Sequence, residues 1–152
     1  MFLLVLILAM LLLKFPKDIL VEFLIASIIT LLWVTFSGIY NYQDANLVFL
    51  NISLYPFISW IFGLVILKEV YEFFKENSKK NSIYVFPGMI VLYVIALVFL
   101  EFTFYHFLGV RLSSSYSGLF GFDVLHAPWF GKIYYLVIGP FYLILTDLLN
   151  VK

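Results

Sequence analysis

Long runs of uncharged, mostly apolar residues constrain this chain more than any other feature of its sequence. Three such runs, each of about 20 residues, lie between charged positions: residues 23–43, 45–67 and 81–100. An α-helix needs about 20 apolar residues to cross the hydrocarbon core of a bilayer, which is about 30 Å thick. A helix also satisfies its own backbone hydrogen bonds, which lipid cannot do. The sequence therefore predicts a helical integral membrane protein.

The composition agrees with a membrane location and excludes several functions. Hydrophobic residues make up 64% of the chain and charged residues 12%, whereas soluble domains are about 45–50% apolar and about 25% charged. The net charge is zero, so no basic surplus is present to bind nucleic acid. There is no cysteine, which excludes disulfides, thiolate nucleophiles and iron–sulfur clusters. The sequence predicts no metal site and identifies no cofactor.

The expected architecture is an all-α, polytopic membrane helix bundle that forms a single integral membrane domain over residues 1–152. Four spans are predicted at about residues 19–37, 46–67, 85–108 and 129–149. A short fifth span is predicted before them at about residues 2–15, with an interfacial or re-entrant helix as the alternative. Pro56 and Pro140 lie near the middle of the predicted spans at 46–67 and 129–149, where each should kink its helix.

The distribution of basic residues predicts the orientation, because cytoplasmic loops of membrane proteins are rich in Lys and Arg. One arrangement places seven of them inside: Lys14, Lys17, Lys68, Lys75, Lys79, Lys80 and Lys152. Only Arg111 and Lys132 then lie outside. The C-terminus is therefore expected in the cytoplasm, and a prokaryotic cytoplasmic membrane is the expected location.

Residues capable of chemistry concentrate at the outer end of the 85–108 span and in the following loop. The candidate catalytic residues are Glu101, His106, Asp123 and His126, and the candidate cofactor-binding residues are Tyr105 and Arg111. Glu101 is expected about 10 Å below the outer surface of the membrane. An acidic residue at that depth normally faces protein or a water-filled cavity. The spacing of Asp123 and His126 suits a carboxylate that orients an imidazole. The structural alternatives are a Glu101 carboxyl hydrogen-bonded to a neighbouring helix and an interfacial His106.

Three functions are compatible with these features. The first expectation is an accessory or structural subunit of a larger membrane complex, since the chain is small, apolar and without a catalytic motif. Its partners would be membrane lipids and other membrane subunits or a second copy of the chain. One alternative is a membrane-embedded enzyme or binder of a lipophilic molecule, such as a quinone, an isoprenoid or a lipid, with its site in the extracytoplasmic half. Another is a small transporter or ion-conducting unit.

Overall fold

A computed structural model describes residues 17–37, 39, 48–49, 52–78, 82–109 and 116–149. Its four α-helices are α1 (Lys17–Ser37), α2 (Leu54–Asn77), α3 (Ser82–Phe102) and α4 (Trp129–Leu148). A π-helical turn, Thr103–Phe107, continues α3, and a 3₁₀ turn, Leu119–Gly121, lies in the loop before α4. Two short strands, β1 (Val48–Phe49) and β2 (Ile52–Ser53), pair antiparallel before α2. The predicted span at 2–15 lies outside the described residues.

Three helices in the described part of the chain are long and apolar enough to cross a membrane. They cover Ile19–Ser37, Tyr84–Phe107 and Trp129–Leu148, close to the predicted spans at 19–37, 85–108 and 129–149. The prediction of a helical protein is confirmed, and three of its described helices have the length and apolar character that crossing a membrane requires. The predicted count of four spans and a fifth is not confirmed.

The chain segment predicted as a span at 46–67 has a different beginning. Strands β1 and β2 occupy part of it, and α2 begins only at Leu54. Pro56 therefore lies in the first turn of α2, where its missing N–H costs no intrahelical hydrogen bond. The prediction that Pro56 kinks the middle of a helix is wrong, because an uncharged run does not reveal where the backbone turns. At its other end α2 passes Lys68 and continues to Asn77.

The core lies where the four helices meet. One side-chain cluster joins Ala26 of α1, Leu64 of α2, Tyr93 of α3 and Tyr142 of α4. The Tyr142 hydroxyl donates a hydrogen bond to the Glu22 carbonyl oxygen at 3.0 Å, so a polar contact also joins α4 to α1. Buried tyrosines normally place their hydroxyl groups on such acceptors.

The outer faces of the helices are as apolar as the core. On α1 the exposed side chains Leu24, Ile28, Leu32 and Phe36 follow one another at intervals of four residues. This spacing forms one continuous stripe along a helix. Soluble monomers rarely expose apolar patches of this extent, and lipid is the medium in which such a stripe carries no penalty.

Gly139 of α4 is required by close packing against Tyr93. A Cβ atom at position 139 would lie 2.7 Å from the Tyr93 ring, and the Tyr93 hydroxyl is fixed on the Tyr135 carbonyl oxygen. We expect Gly139→Ala to lower the free energy of unfolding by about 1–3 kcal/mol through overpacking. Thermal unfolding in detergent measures the effect. Gly88→Ala is the control, because open space surrounds position 88; equal melting temperatures for the two variants would contradict the prediction.

Candidate functional site

The Glu101 carboxyl near the end of α3 contacts the loop that precedes α4. Its Oε1 atom lies 2.7 Å from Nδ1 of His126 and accepts a hydrogen bond from the His126 backbone N–H at 3.1 Å. Its Oε2 atom is buried and has no hydrogen-bond partner among the described residues. Oε1 thus makes two contacts with His126, whereas Oε2 can still accept a hydrogen bond from a further donor.

The other ring nitrogen of His126 faces a second carboxyl group. Nε2 of His126 lies 2.8 Å from Oδ1 of Asp123. A neutral imidazole has one donor and one acceptor nitrogen, whereas an ionised carboxylate only accepts. Each of the two contacts therefore needs a bridging proton. If these two bridging protons are the only ones, Glu101, His126 and Asp123 together carry a charge of −1, whether both protons belong to the imidazole or one belongs to a carboxyl.

Only the outer carboxyl group of this carboxyl–imidazole–carboxyl chain is largely exposed to solvent. The Asp123 side chain is 74% exposed, the His126 side chain 8% and the Glu101 side chain 20%. Protons can hop along short hydrogen-bonded contacts of this kind, as they do in acid–base catalysis. The hydrogen-bonded side chains of Asp123, His126 and Glu101 thus connect the solution outside the loop with a carboxyl oxygen inside the bundle.

The π-helical turn after Glu101 adds two aromatic rings to the same cluster. Tyr105 stacks on His126 with ring centroids 3.9 Å apart and an interplanar angle of 6°. Nε2 of His106 lies 3.2 Å from the Asp123 carbonyl oxygen and 3.4 Å from its Oδ2. π-Helical turns are rare and are often found at functional sites. Here the turn lets neighbouring residues Tyr105 and His106 contact different members of the cluster.

The loop holds His126 in place at the cost of backbone strain. Leu125 is fully buried and has a φ of 54°, a conformation that is unfavourable for a bulky residue. Strained residues of this kind persist only where the surrounding structure holds them, and they cluster at functional sites. The turn at Leu125 allows both the backbone N–H and the ring of His126 to reach the same Glu101 oxygen.

An apolar groove between α2 and α3 ends at this cluster. The groove has a volume of about 410 Å³, which lies within the range of small-molecule sites, about 300–1,000 Å³. From Glu101 it extends along α3 to Met89, a distance of about 18 Å at 1.5 Å per residue. We call it the α2–α3 groove. Its polar end is formed by five described residues: Tyr55, Ser59, Glu101, Tyr105 and His126.

A second polar cluster lies at the opposite end of the helices. Lys68 of α2 is fully buried and contacts Glu72 and, at 2.9 Å, Asp147 of α4. Asp147 also accepts hydrogen bonds from Lys75 at 3.1 Å and from the Tyr71 hydroxyl at 3.0 Å. We call Lys68, Tyr71, Glu72, Lys75 and Asp147 the inner cluster. It joins α2 to α4 and lies far from the candidate site.

The charges of the inner cluster shift two pKa values. Burial, together with the hydrogen bond and negative charge of Asp147, raises the pKa of Tyr71 to about 12. For Lys75, burial lowers the pKa, but the hydrogen bond to Asp147 and the charges of Glu72 and Asp147 outweigh it and raise the pKa. Lys75 is charged and Tyr71 is protonated at neutral pH, and both shifts move their titration further into the alkaline range.

Five of the six predicted site residues lie within the described part of the chain and come together. Glu101, Asp123 and His126 are hydrogen-bonded in series, and Tyr105 and His106 contact this series. Arg111 lies outside the described residues. Sequence analysis missed Tyr55 and Ser59, which line the polar end of the groove. Both lie in the middle of the uncharged run at 45–67, where no charge or spacing distinguishes them from their neighbours.

The cluster is not arranged as a metal centre. Within the described ranges, no group of three His, Asp or Glu side chains is positioned to hold a metal ion. His126 also has both ring nitrogens committed to carboxyl oxygens.

Comparison of the chain with protein-family models, with curated proteins and with solved structures finds no match.

Proposed function

We propose that this integral membrane protein binds a lipophilic molecule in the α2–α3 groove. The observation that carries the proposal is an apolar groove of about 410 Å³ that ends on Glu101, whose Oε2 lacks a hydrogen-bond partner among the described residues. Ligand sites are typically apolar cavities with a few polar groups that fix the orientation. In this arrangement the apolar body lies between the helices, and the polar head lies at Glu101.

We propose further that the apolar part of α2, residues 54–67, also lies within the bilayer, with residues 2–15 as a short additional span. The C-terminus would be cytoplasmic, in a prokaryotic cytoplasmic membrane. The positions of the lysines support this orientation: Lys68 and Lys75 meet Asp147 at one end of the bundle. Lys132, at the other end, contacts the Gly118 carbonyl oxygen in the loop. The groove then opens in the extracytoplasmic half at Glu101.

The groove favours the ligand-binding alternative over the other two functions. Binding to a partner subunit does not require a carboxyl–imidazole–carboxyl chain at the end of a cavity, and an ion pathway would require polar groups along its length. Among the described residues that line the α2–α3 groove, the carboxyl and imidazole groups lie at one end only, at Glu101 and His126. The accessory-subunit and transporter hypotheses stay predictions, as does the assignment of catalysis to Glu101, His106, Asp123 and His126.

Filling the groove with a side chain should displace the bound molecule. Gly63 lines the groove, and no atom lies within 4 Å of a Cβ built there. We expect Gly63→Leu to reduce the amount of co-purifying lipid at least about tenfold, a loss of about 1.4 kcal/mol in binding. The measurement is mass spectrometry of lipids extracted from the purified protein, expressed per mole of chain.

Gly88→Leu is the matched control, because it adds the same side chain at an open position outside the α2–α3 groove. It should leave the amount of bound lipid unchanged. Both variants should keep the thermal stability of the wild type, since neither position is crowded and leucine favours a helix over glycine. Equal lipid content in the wild type and Gly63→Leu would contradict the proposed function.

A further inference from the structure

The hydrogen bonds at Glu101 define which head group the groove can accept. Oε1 already faces Nδ1 of His126 and the His126 backbone N–H. The proton shared by Glu101 and His126 therefore lies on the Oε1 side in both possible arrangements. With only the two bridging protons present, Oε2 carries no proton in either arrangement and acts as an acceptor. A head group that donates a hydrogen bond would satisfy this buried atom, whose unpaired state is otherwise costly.

The charge at the polar end of the groove disfavours anionic heads. Glu101, His126 and Asp123 together carry a charge of −1. Among the described residues that line the groove, none is a lysine or an arginine. A phosphate or carboxylate head would therefore meet a net negative charge without a basic partner, in surroundings where charges interact more strongly than in water.

We propose that the α2–α3 groove takes a neutral lipid whose hydroxyl donates a hydrogen bond to Oε2 of Glu101, and that it rejects the same lipid with an anionic head. This inference rests on the proposed function, since it presumes a lipid in the groove. The length of about 18 Å from Glu101 to Met89 fits a single extended tail. Asp123 does not reach the groove and is a positioning residue, which acts through His126.

Three probes with one tail and different heads test the inference: farnesol, its methyl ether and farnesyl phosphate. Farnesol offers a hydroxyl donor, the ether is neutral without a donor, and the phosphate is anionic. Binding is measured by native mass spectrometry at one fixed ratio of probe to detergent. We expect the wild type to bind farnesol about tenfold or more tightly than either of the other probes, since a hydrogen bond to a charged group contributes at least that factor.

The Glu101→Gln variant should reduce this discrimination. The glutamine oxygen can keep the two contacts to His126, which places an N–H donor where Oε2 stood. The amide donates to an ether as well as to a hydroxyl, and it removes the negative charge. The preference for farnesol over the ether and over the phosphate should therefore fall to within about threefold, an expectation that follows from the smaller strength of neutral hydrogen bonds.

The outcomes separate this inference from the proposed function. The inference would be overturned if the wild type bound all three probes equally, or if it bound the phosphate most tightly. If Gly63→Leu still reduced that binding, the proposed function would remain supported. Absence of binding of every probe, together with lipid content unaffected by Gly63→Leu, would overturn both. The comparison of probes on the wild type needs no variant, so it holds even if Glu101→Gln does not fold.

Discussion

Replacing Asp147 by alanine should lower the free energy of unfolding by about 2–3 kcal/mol. Lys68 is fully buried and shares its ammonium group between Asp147 and Glu72. Removing one partner of a buried ion pair costs about 3–5 kcal/mol, and the remaining contact with Glu72 reduces that cost. The same change also removes the acceptor of the Tyr71 hydroxyl. Thermal unfolding in detergent should show a melting temperature lower by about 5–10 °C.

Two further variants distinguish a buried ion pair from a general packing effect. Lys75→Ala breaks another contact with Asp147, but the Lys75 side chain is 43% exposed, and exposed pairs contribute at most about 1 kcal/mol. The double variant Lys68→Met with Asp147→Leu should recover most of the lost stability, because apolar residues can replace a buried pair at little cost. A double variant as unstable as Asp147→Ala would contradict this explanation.

Replacing His126 by alanine should have the largest effect on ligand binding. The imidazole bridges Glu101 and Asp123 and stacks on Tyr105. Without it, Glu101 keeps only the backbone N–H at position 126 and is no longer held toward the groove. We expect binding of farnesol to fall at least about tenfold. The free energy of unfolding should fall by about 1.5–3 kcal/mol from the lost hydrogen bond to Glu101, and the contact with Asp123 adds little because that side chain is 74% exposed.

His106→Ala is the matched control for this histidine. His106 contacts Asp123 through Nε2, and its ring lies edge-on to Tyr105 and His126 with centroids 5.1 Å and 6.4 Å away, but it is not itself a lining residue of the groove. We expect its binding of farnesol, measured by native mass spectrometry, to stay within about twofold of the wild type, which corresponds to about 0.4 kcal/mol. A loss of binding in His106→Ala as large as that in His126→Ala would show that the whole loop, rather than the His126 bridge, supports the site.

The sequence predicts a helix where a mostly apolar segment of about 20 residues carries its few charged residues near its ends. The bounds of α1 and α4 agree closely with the predicted spans at 19–37 and 129–149, since Asp18 and Glu22 lie near the start of α1 and Lys132 and Asp147 lie near the two ends of α4. The start of α2 was not predictable in this way. The residues before Leu54 are as apolar as those after it, so hydropathy does not distinguish strands β1 and β2 from a helix.

The candidate site was predictable only in part, for a related reason. The contact between Asp123 and His126 follows from their separation by three residues within one turn. The contact between Glu101 and His126 depends on the positive φ at Leu125 and on the π-helical turn, neither of which has a clear sequence signal. The groove itself arises from the distance between α2 and α3, which is a property of tertiary packing.

Photoaffinity labelling tests directly whether a lipid lies in the α2–α3 groove with its head at Glu101. The probe is a farnesol analogue with a diazirine next to the hydroxyl, and tandem mass spectrometry maps the labelled residues. We expect labels on residues 97–105 and 125–126, and we expect these labels to be lost in Gly63→Leu and suppressed by excess farnesol. Labels spread over the exposed stripe of α1 at Leu24, Ile28 and Leu32, unaffected by Gly63→Leu or by excess farnesol, would contradict it.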